Sequence, residues 1–338
     1  MGNHSDCTWF DQVPKIELHL HLEGAIPLET FQQLIDKYEP PAGRLSMAQL
    51  KERFDFRDFP HFLTTWSWKN QYLREYDDFA LIAEETAKDL LRQNIRYVEM
   101  IFSPSTFLGQ ELTVQGITEA IRRGLNCVPG IEVGLVVDLV RDDGPSKAAL
   151  TLSAASEVRD LGVLGINIGG TEHEFPPELF EPVYNKARRL GFYTSAHAGE
   201  GAGPASIWGA INSLEVDRIG HGTRAVEDER LMAHIQDNQI PIEVCPLSNV
   251  KTRVVDVIEN HPVRRFFERG LAISINTDDP MMFGNSLADE YRALVDRCGF
   301  SRRDILSLIR GGIDTSWQLP QAKEALLSSF ISSPAWRY

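Results

Sequence analysis

The chain has 338 residues, of which 43% are hydrophobic and 24% charged, and its formal net charge is 34 − 48 = −14 with histidine neutral. That length suits one large α/β barrel or two smaller domains. An acidic balance without Lys/Arg clusters excludes a nucleic-acid-binding surface, which needs concentrated positive charge.

Residues 1–13 show no periodic pattern and are expected as a flexible N-terminus, without the basic and apolar regions of a signal peptide. A single domain is expected over 14–338. The first strand-like run, Lys15–Leu22, contains His19-Leu20-His21. Alternate side chains of an extended chain share a face, so both imidazoles point to one spot at that strand's C-terminal end. The segment from Ile26 to Asn94 follows, much longer than a usual barrel connection. It reads as a helical insertion carrying Phe54, Phe56, Phe59, Phe62, Trp66 and Trp68. These aromatics are expected as core, with a lid over a planar ligand as the second reading.

Further strands are predicted at Ile95–Phe102, Ile131–Leu139, Val163–Ile168, Phe192–Ala196, Arg218–Ile219, Ile240–Val244 and Leu271–Asn276. Amphipathic stretches separate them: Glu75–Gln93, Val114–Val128, Ser146–Asp160, Glu178–Leu190, Pro204–Leu214, Glu227–Gln236 and Pro262–Arg269. Pro27, Pro204 and Pro262 mark helix starts, and Gly191 and Gly270 mark stops. Strict alternation implies parallel strands with crossover helices, and eight units favour a (β/α)₈ TIM barrel. The short sixth strand is the weak link; without it an open α/β sheet results. No apolar run approaches the roughly 18–20 residues of a membrane span. Cys7, Cys127, Cys245 and Cys298 lack CxxC spacing, so reduced thiols in a soluble cytoplasmic protein are expected, with Cys127 and Cys245 buried.

Polar residues collect at the C-terminal strand ends: His19, His21 and Glu23; Ser103; Asn167 to Gly170; His197 and Glu200; His221; Ser248 and Asn249; Asp278 and Asp279. In a barrel these ends ring one mouth, where such folds do chemistry. Each has a bland alternative: a hydrogen-bonded structural histidine, a helix cap at Asp278-Asp279, an ordinary turn at Glu200-Gly201. All of these would have to hold independently in one mouth. Three imidazoles and a carboxylate suit a catalytic zinc, so His19, His21, His197 and Asp278 are assigned as ligands of one ion per chain. Strand four has no lysine to bridge a second. Asp279 or His221 would take a proton from water, and Glu200, protonated in an apolar setting, would act as acid.

As a set these residues resemble the adenosine deaminase family of metal-dependent amidohydrolase barrels. The resemblance rests on Glu17-Leu-His19-Leu-His21-Leu-Glu23-Gly24-Ala25, Ala196-His197-Ala-Gly-Glu200, Ile219-Gly-His221-Gly222, Glu243-Val-Cys245-Pro246-Leu-Ser248 and Asn276-Thr277-Asp278-Asp279-Pro280, in the family's order. It implies hydrolytic deamination of a 6-aminopurine, with ammonia leaving and a 6-oxopurine formed. On it, His19, His21, His197 and Asp278 hold zinc, Glu200 protonates ring N1, and His221 steadies the attacking oxygen. Asp279 helps deprotonate the water and contacts substrate; the Gly170 N–H meets the ring edge; His21 and Glu23 are substrate contacts.

Three departures bear on substrate. Glu23 stands where adenosine deaminases carry Asp, and looks more like adenine and 6-aminodeoxyfutalosine deaminases. Phe102-Ser103-Pro104 and Ile219-Gly220-His221 look unlike adenine deaminases. Gly169-Gly170-Thr171-Glu172 replaces an Ala-Gly-Asp-Glu pattern. The expected partner is therefore a small purine nucleoside, adenosine or 6-aminodeoxyfutalosine, with free adenine third. An amide or phosphoester hydrolase and a catalytically inactive nucleoside-binding protein are the rival classes.

Overall fold

The computed structural model describes residues 8–57 and 59–337. Its eight strands are β1 (Lys15–His21), β2 (Ile95–Phe102), β3 (Glu132–Asp138), β4 (Val163–Asn167), β5 (Tyr193–Ala198), β6 (Arg218–His221), β7 (Ile242–Val244) and β8 (Ile273–Ile275). Each pairs in parallel with the next, in sequence order. The last edge meets the first just beyond β8, where His21 N donates to Asp278 O at 2.9 Å and Asp278 N donates to His19 O at 3.1 Å. The result is a nearly closed (β/α)₈ barrel. β6 spans four residues and pairs on both sides, which removes the open-sheet alternative.

The strands are apolar because both faces are covered: all seven residues of β1 and all but one of β2 are buried. The outer helices follow the opposite logic. They are α1 (Trp9–Gln12), α2 (Leu28–Tyr38), α3 (Met47–Arg53), α4 (Phe59–Asn70), α5 (Tyr76–Arg92), α6 (Val114–Leu125), α7 (Gly144–Glu157) and α8 (Glu181–Arg189). After them come α9 (Pro204–Asn212), α10 (Glu229–Asp237), α11 (Pro246–Lys251), α12 (Val263–Glu268), α13 (Pro280–Phe283), α14 (Leu287–Arg297), α15 (Arg302–Thr315) and α16 (Pro320–Ile331). In α6, Val114, Ile117, Ala120, Ile121 and Leu125 face inward at helical spacing, and Thr113 caps the start by accepting from Gly116 N.

Several expectations need correction. Within the segment expected to be flexible, Trp9–Gln12 form α1, Phe10 and Val13 join the core, and the Trp9 indole donates to Ala335 O at 2.7 Å. An apolar pair next to a strand start is tied down by burial rather than by local pattern. Residues 1–7, with Cys7, lie outside those described. Cys245 is buried as expected, but Cys127 is exposed, since it falls just past the end of α6.

The aromatics between β1 and β2 divide. Phe54 and Trp68 pack on Phe31, and Phe56 on Phe54, while Phe62 and Trp66 of α4 turn toward the mouth. Phe59's side chain is outside the description. No helix among the described residues is long and apolar enough to cross a membrane.

Candidate active site

A cavity of ≈ 410 Å³ opens at the C-terminal ends of the strands, lined among others by His21, Ser103, Asp138, Gly170, His197, Glu200, His221, Asp278 and Asp279, with Phe62, Leu63 and Trp66 from α4. Of the residues singled out from sequence, His19 lies beneath this lining, fully buried, and Glu23 lies behind it.

Its inner end is a knot of ring nitrogens. His197 Nε2 is 3.1 Å from His19 Nε2 and 3.2 Å from His21 Nε2, and Asp278 Oδ1 is 3.5 and 3.4 Å from the same two histidine nitrogens. Ligating atoms of His19, His197, His221 and Asp278 also lie within 4.8 Å of one another. Two neutral imidazole nitrogens at hydrogen-bond distance must share a proton or a cation, and the outer nitrogens decide which. His19 Nδ1 meets Glu243 Oε2 at 2.7 Å, a carboxylate that draws the ring proton to Nδ1. The His19 Nε2 lone pair then points inward, as metal ligation requires. Asn167 donates its amide nitrogen to Asp138 (2.9 Å), and its amide group lies against His197 Nδ1, with the nitrogen 3.0 Å and the oxygen 3.2 Å away.

The electrostatics agree. Burial opposes charge on His19, but hydrogen bonds to Asp278 and Glu243 outweigh it and raise its pKa to about 10. Burial pushes His21 down to about 3 and His221 to about 4, and with the neighbouring His19 it holds His197 well below the usual range. Burial works against ionising Asp278, yet the surrounding histidines hold its carboxyl well below the ordinary value. A pocket that favours one positive charge among several neutral imidazoles fits a divalent cation.

His221 differs from the other three. Asn249 Oδ1 accepts from Thr223 Oγ1 at 2.8 Å and meets His261 Nε2 at 3.1 Å, so its amide nitrogen faces His221 Nδ1 at 3.1 Å. An N–H donor on Nδ1 leaves the ring proton on Nε2. That Nε2 has no hydrogen-bond partner among the described residues and lies 3.6 Å from Glu200 Oε2 and 4.0 Å from Asp278 Oδ2. Both His221 and Asp278 hold left-handed backbone, at φ 62° and 66°, a conformation rare outside glycine.

Glu200 is buried, and desolvation, then the charges of Asp278 and Glu172, raise its pKa well above the ordinary carboxylate range. Its loop is held by Glu172, whose carboxylate accepts from the N–H groups of Gly199, Glu200, Gly201 and Ala202 at 2.6–3.1 Å. The Asp279 pKa is raised too, by burial and by Asp278, and its Oδ1 has no partner among the described residues. A Cβ on Gly24 would lie 1.7 Å from that oxygen, so the glycine makes its room. Gly170, at φ 107°, admits no side chain either, because Asp142 Oδ2 stands 2.0 Å from where a Cβ would be.

Toward the outer end, Ser103 N donates to Glu23 Oε1 at 2.9 Å, while Glu23 Oε2 is buried without a partner among the described residues. The Lys69 ammonium donates to Glu23 O and to Asn70 Oδ1 at 2.5 and 2.7 Å. Asp138 accepts from Asn167, Gly169 N and Ser103 Oγ, and burial raises its pKa to about 6. Asp142, Asp143 and Lys147 form the rim.

Sequence reasoning gave no role to Asp138, to Glu243 or to the clamp at Glu172, although the last two stand in stretches it singled out. The first two had a signal, a carboxylate inside an otherwise apolar strand run.

A parallel barrel whose strand ends gather three histidines and an aspartate around a cation-favouring pocket, with a high-pKa carboxyl beside them, belongs to the amidohydrolase-type barrel enzymes. The family model described as adenosine deaminase matches residues 14–333, and the chain belongs to that family. Its relatives are deaminases, and it is a hydrolase acting on C–N bonds. It is similar to adenine deaminase of Ectopseudomonas mendocina (35% identity, over 90% of this chain and 98% of that one). It is also similar to aminodeoxyfutalosine deaminase of Streptomyces avermitilis (30%, over 96% and 92%). A solved amidohydrolase from Burkholderia ambifaria with bound Zn superimposes at TM-score 0.87 (28% identity, over 98% and 93%).

Proposed function

We propose that the protein is a zinc-dependent hydrolytic deaminase of a 6-aminopurine nucleoside, adenosine to inosine in type, releasing ammonia. The observation that supports this is the cavity lined together by the histidine and aspartate cluster, by Glu200 with its raised carboxyl pKa and by Gly170, which continues past them to Ser103, Asp138 and the Asp142–Lys147 rim. A free base leaves that outer volume empty, whereas a sugar on N9 fills it with hydroxyls facing carboxylates.

His19, His21, His197 and Asp278 would hold the ion, which when bound lowers the pKa of water from about 15.7 toward about 7. Asp279, whose Oδ1 is buried beside the cluster with no partner among the described residues, takes the proton from the attacking water. His221 is a donor, not a base: its Nε2–H steadies the oxygen that adds to C6. Glu200 gives its proton to ring N1, so that C6 accepts the addition without negative charge building on the ring. The Gly170 N–H orients the ring edge. Glu23 Oε2, buried and unpartnered, is left for a sugar hydroxyl.

Two other substrates rest on the relatives: 6-aminodeoxyfutalosine on the Streptomyces enzyme and free adenine on the Ectopseudomonas one. The test is a panel of adenosine, 2′-deoxyadenosine, adenine and 6-aminodeoxyfutalosine, followed by ultraviolet absorbance and ammonia release. Fastest turnover of adenosine supports the proposal. Preference for adenine removes the nucleoside part, and no reaction with any of them removes the 6-aminopurine part.

A further inference from the structure

The histidine that begins the metal cluster is wired to the far end of the barrel. From His19 Nδ1 the contact passes to Glu243 Oε2 at 2.7 Å, and Glu243 Oε1 accepts from Arg218 Nε at 2.6 Å. Arg218 Nη2 donates to Glu99 Oε2, and its Nη1 donates to Thr315 O at 3.0 Å. Glu99 Oε1 accepts from the Tyr97 hydroxyl at 2.9 Å and from Trp317 N at 2.5 Å. The Trp317 ring lies over the guanidinium, 3.7 Å from centroid to Cζ, and stacks on Tyr193. Arg218 opens β6 at the floor, opposite the mouth, and Trp317 follows α15 into the same floor. His19, Glu99, Arg218 and Glu243 are each no more than 1% exposed.

This column does more than neutralise charge. A carboxylate bonded to one imidazole alone is free to turn about its last bond and take the ring with it. Glu243 has one oxygen on Arg218 and the other on His19, so its plane is fixed, and with it the ring's tilt and the site of its proton. Arg218 is fixed in turn by a fork, a carbonyl and an aromatic face.

We infer that Arg218 is a positioning residue for the metal site. Acting through Glu243 it sets the orientation and tautomer of His19, with Glu99 and Trp317 as its outer anchors. This rests on the reading of His19 as a metal ligand. A floor residue with no contact to substrate or ion therefore tunes how tightly and in what geometry the ion is held.

The test uses the purified full chain, stripped of metal and titrated with Zn²⁺ against a competing chelator, with Co²⁺ as spectroscopic probe. The variants are Arg218→Lys, which keeps the charge but loses the fork, Glu243→Gln and the double variant. If Arg218→Lys does not fold, the near-isosteric Glu99→Gln takes its place. In folded Arg218→Lys we expect zinc affinity to fall about 10–100-fold and the visible absorption of the Co²⁺ form to change. In the Glu243→Gln background the same substitution should add little, because the path is already cut. A lowered melting temperature with unchanged zinc affinity and Co²⁺ spectrum overturns the inference, as do losses that add fully in the double variant. Wild-type protein that binds no stoichiometric zinc instead overturns the metal reading itself.

Discussion

The mouth and the floor of this barrel both bury charge, and they account for it in opposite ways. At the floor, Arg218 is matched by Glu99 and Glu243, and the oxygens of both carboxylates have partners. At the mouth, His21 Nδ1, His221 Nε2, Asp279 Oδ1 and Glu23 Oε2 are buried without hydrogen-bond partners among the described residues. Unsatisfied buried polar atoms cost stability, so a fold that keeps several in one place is holding them for something that arrives later. The same currency of buried charge thus serves positioning below and chemistry above.

That contrast is easiest to break with ligand substitution. Asp278→Asn is expected to abolish metal retention, read by elemental analysis, and to take turnover to background while the far-ultraviolet spectrum is preserved. A mouth substitution that unfolded the protein would erase the distinction between the two regions. Glu200→Gln should come next, with kcat lower by about 10²–10⁴-fold at unchanged metal content.

The pH profile sharpens the same point. Burial, then the charges of Asp278 and Glu172, raise the Glu200 pKa well above the ordinary carboxylate value. Activity should fall on the alkaline side as Glu200 loses its proton, and the residual activity of the Gln variant should lack that limb.

Smaller effects separate positioning from chemistry. Glu99→Ala removes one partner of a buried ion pair, and urea denaturation should show a loss of about 3–5 kcal/mol. Glu172→Gln loosens the clamp on the Glu200 loop; a stability loss of about 1.5–3 kcal/mol with lower kcat and little change in KM is expected. Glu23→Asp shortens one side chain beside the proposed sugar site. It should shift the adenosine-to-adenine ratio of kcat/KM by about 10-fold or more, with direction reporting whether the longer carboxylate favours the nucleoside.

Much of this was readable beforehand. The eight strands appear within a few residues of their predicted limits because parallel barrel strands are buried on both faces, which writes apolar, β-branched runs into the chain. That His19, His21, His197 and Asp278 would gather at one mouth was legible because strand ends are where polar residues interrupt those runs. The sequence reading placed no elements after β8, although α14 and α15 carry local signals: capping boxes at Ser286 and Ser301, and Leu287, Tyr291 and Leu294 or Ile305, Leu308, Ile309 and Ile313 buried at helical spacing. For α1, by contrast, long-range burial of Phe10 orders a segment with no local pattern. Phe62 and Trp66 looked like their neighbours Phe54 and Trp68, since spacing alone does not say which side of α4 faces the cavity.

What the sequence determined by itself is the barrel, the family and the residue types of the cluster. Spacing along a strand is fixed by backbone geometry, and so is the face on which His19 and His21 stand. Only the tertiary structure decided which proton sits where. The tautomer of His221 depends on Asn249, Thr223 and His261, and the tilt of His19 on Glu243, Arg218 and Glu99, residues far apart in the chain. A hydrogen bond is directional and short-ranged, so its partners exist as partners only once the barrel has closed.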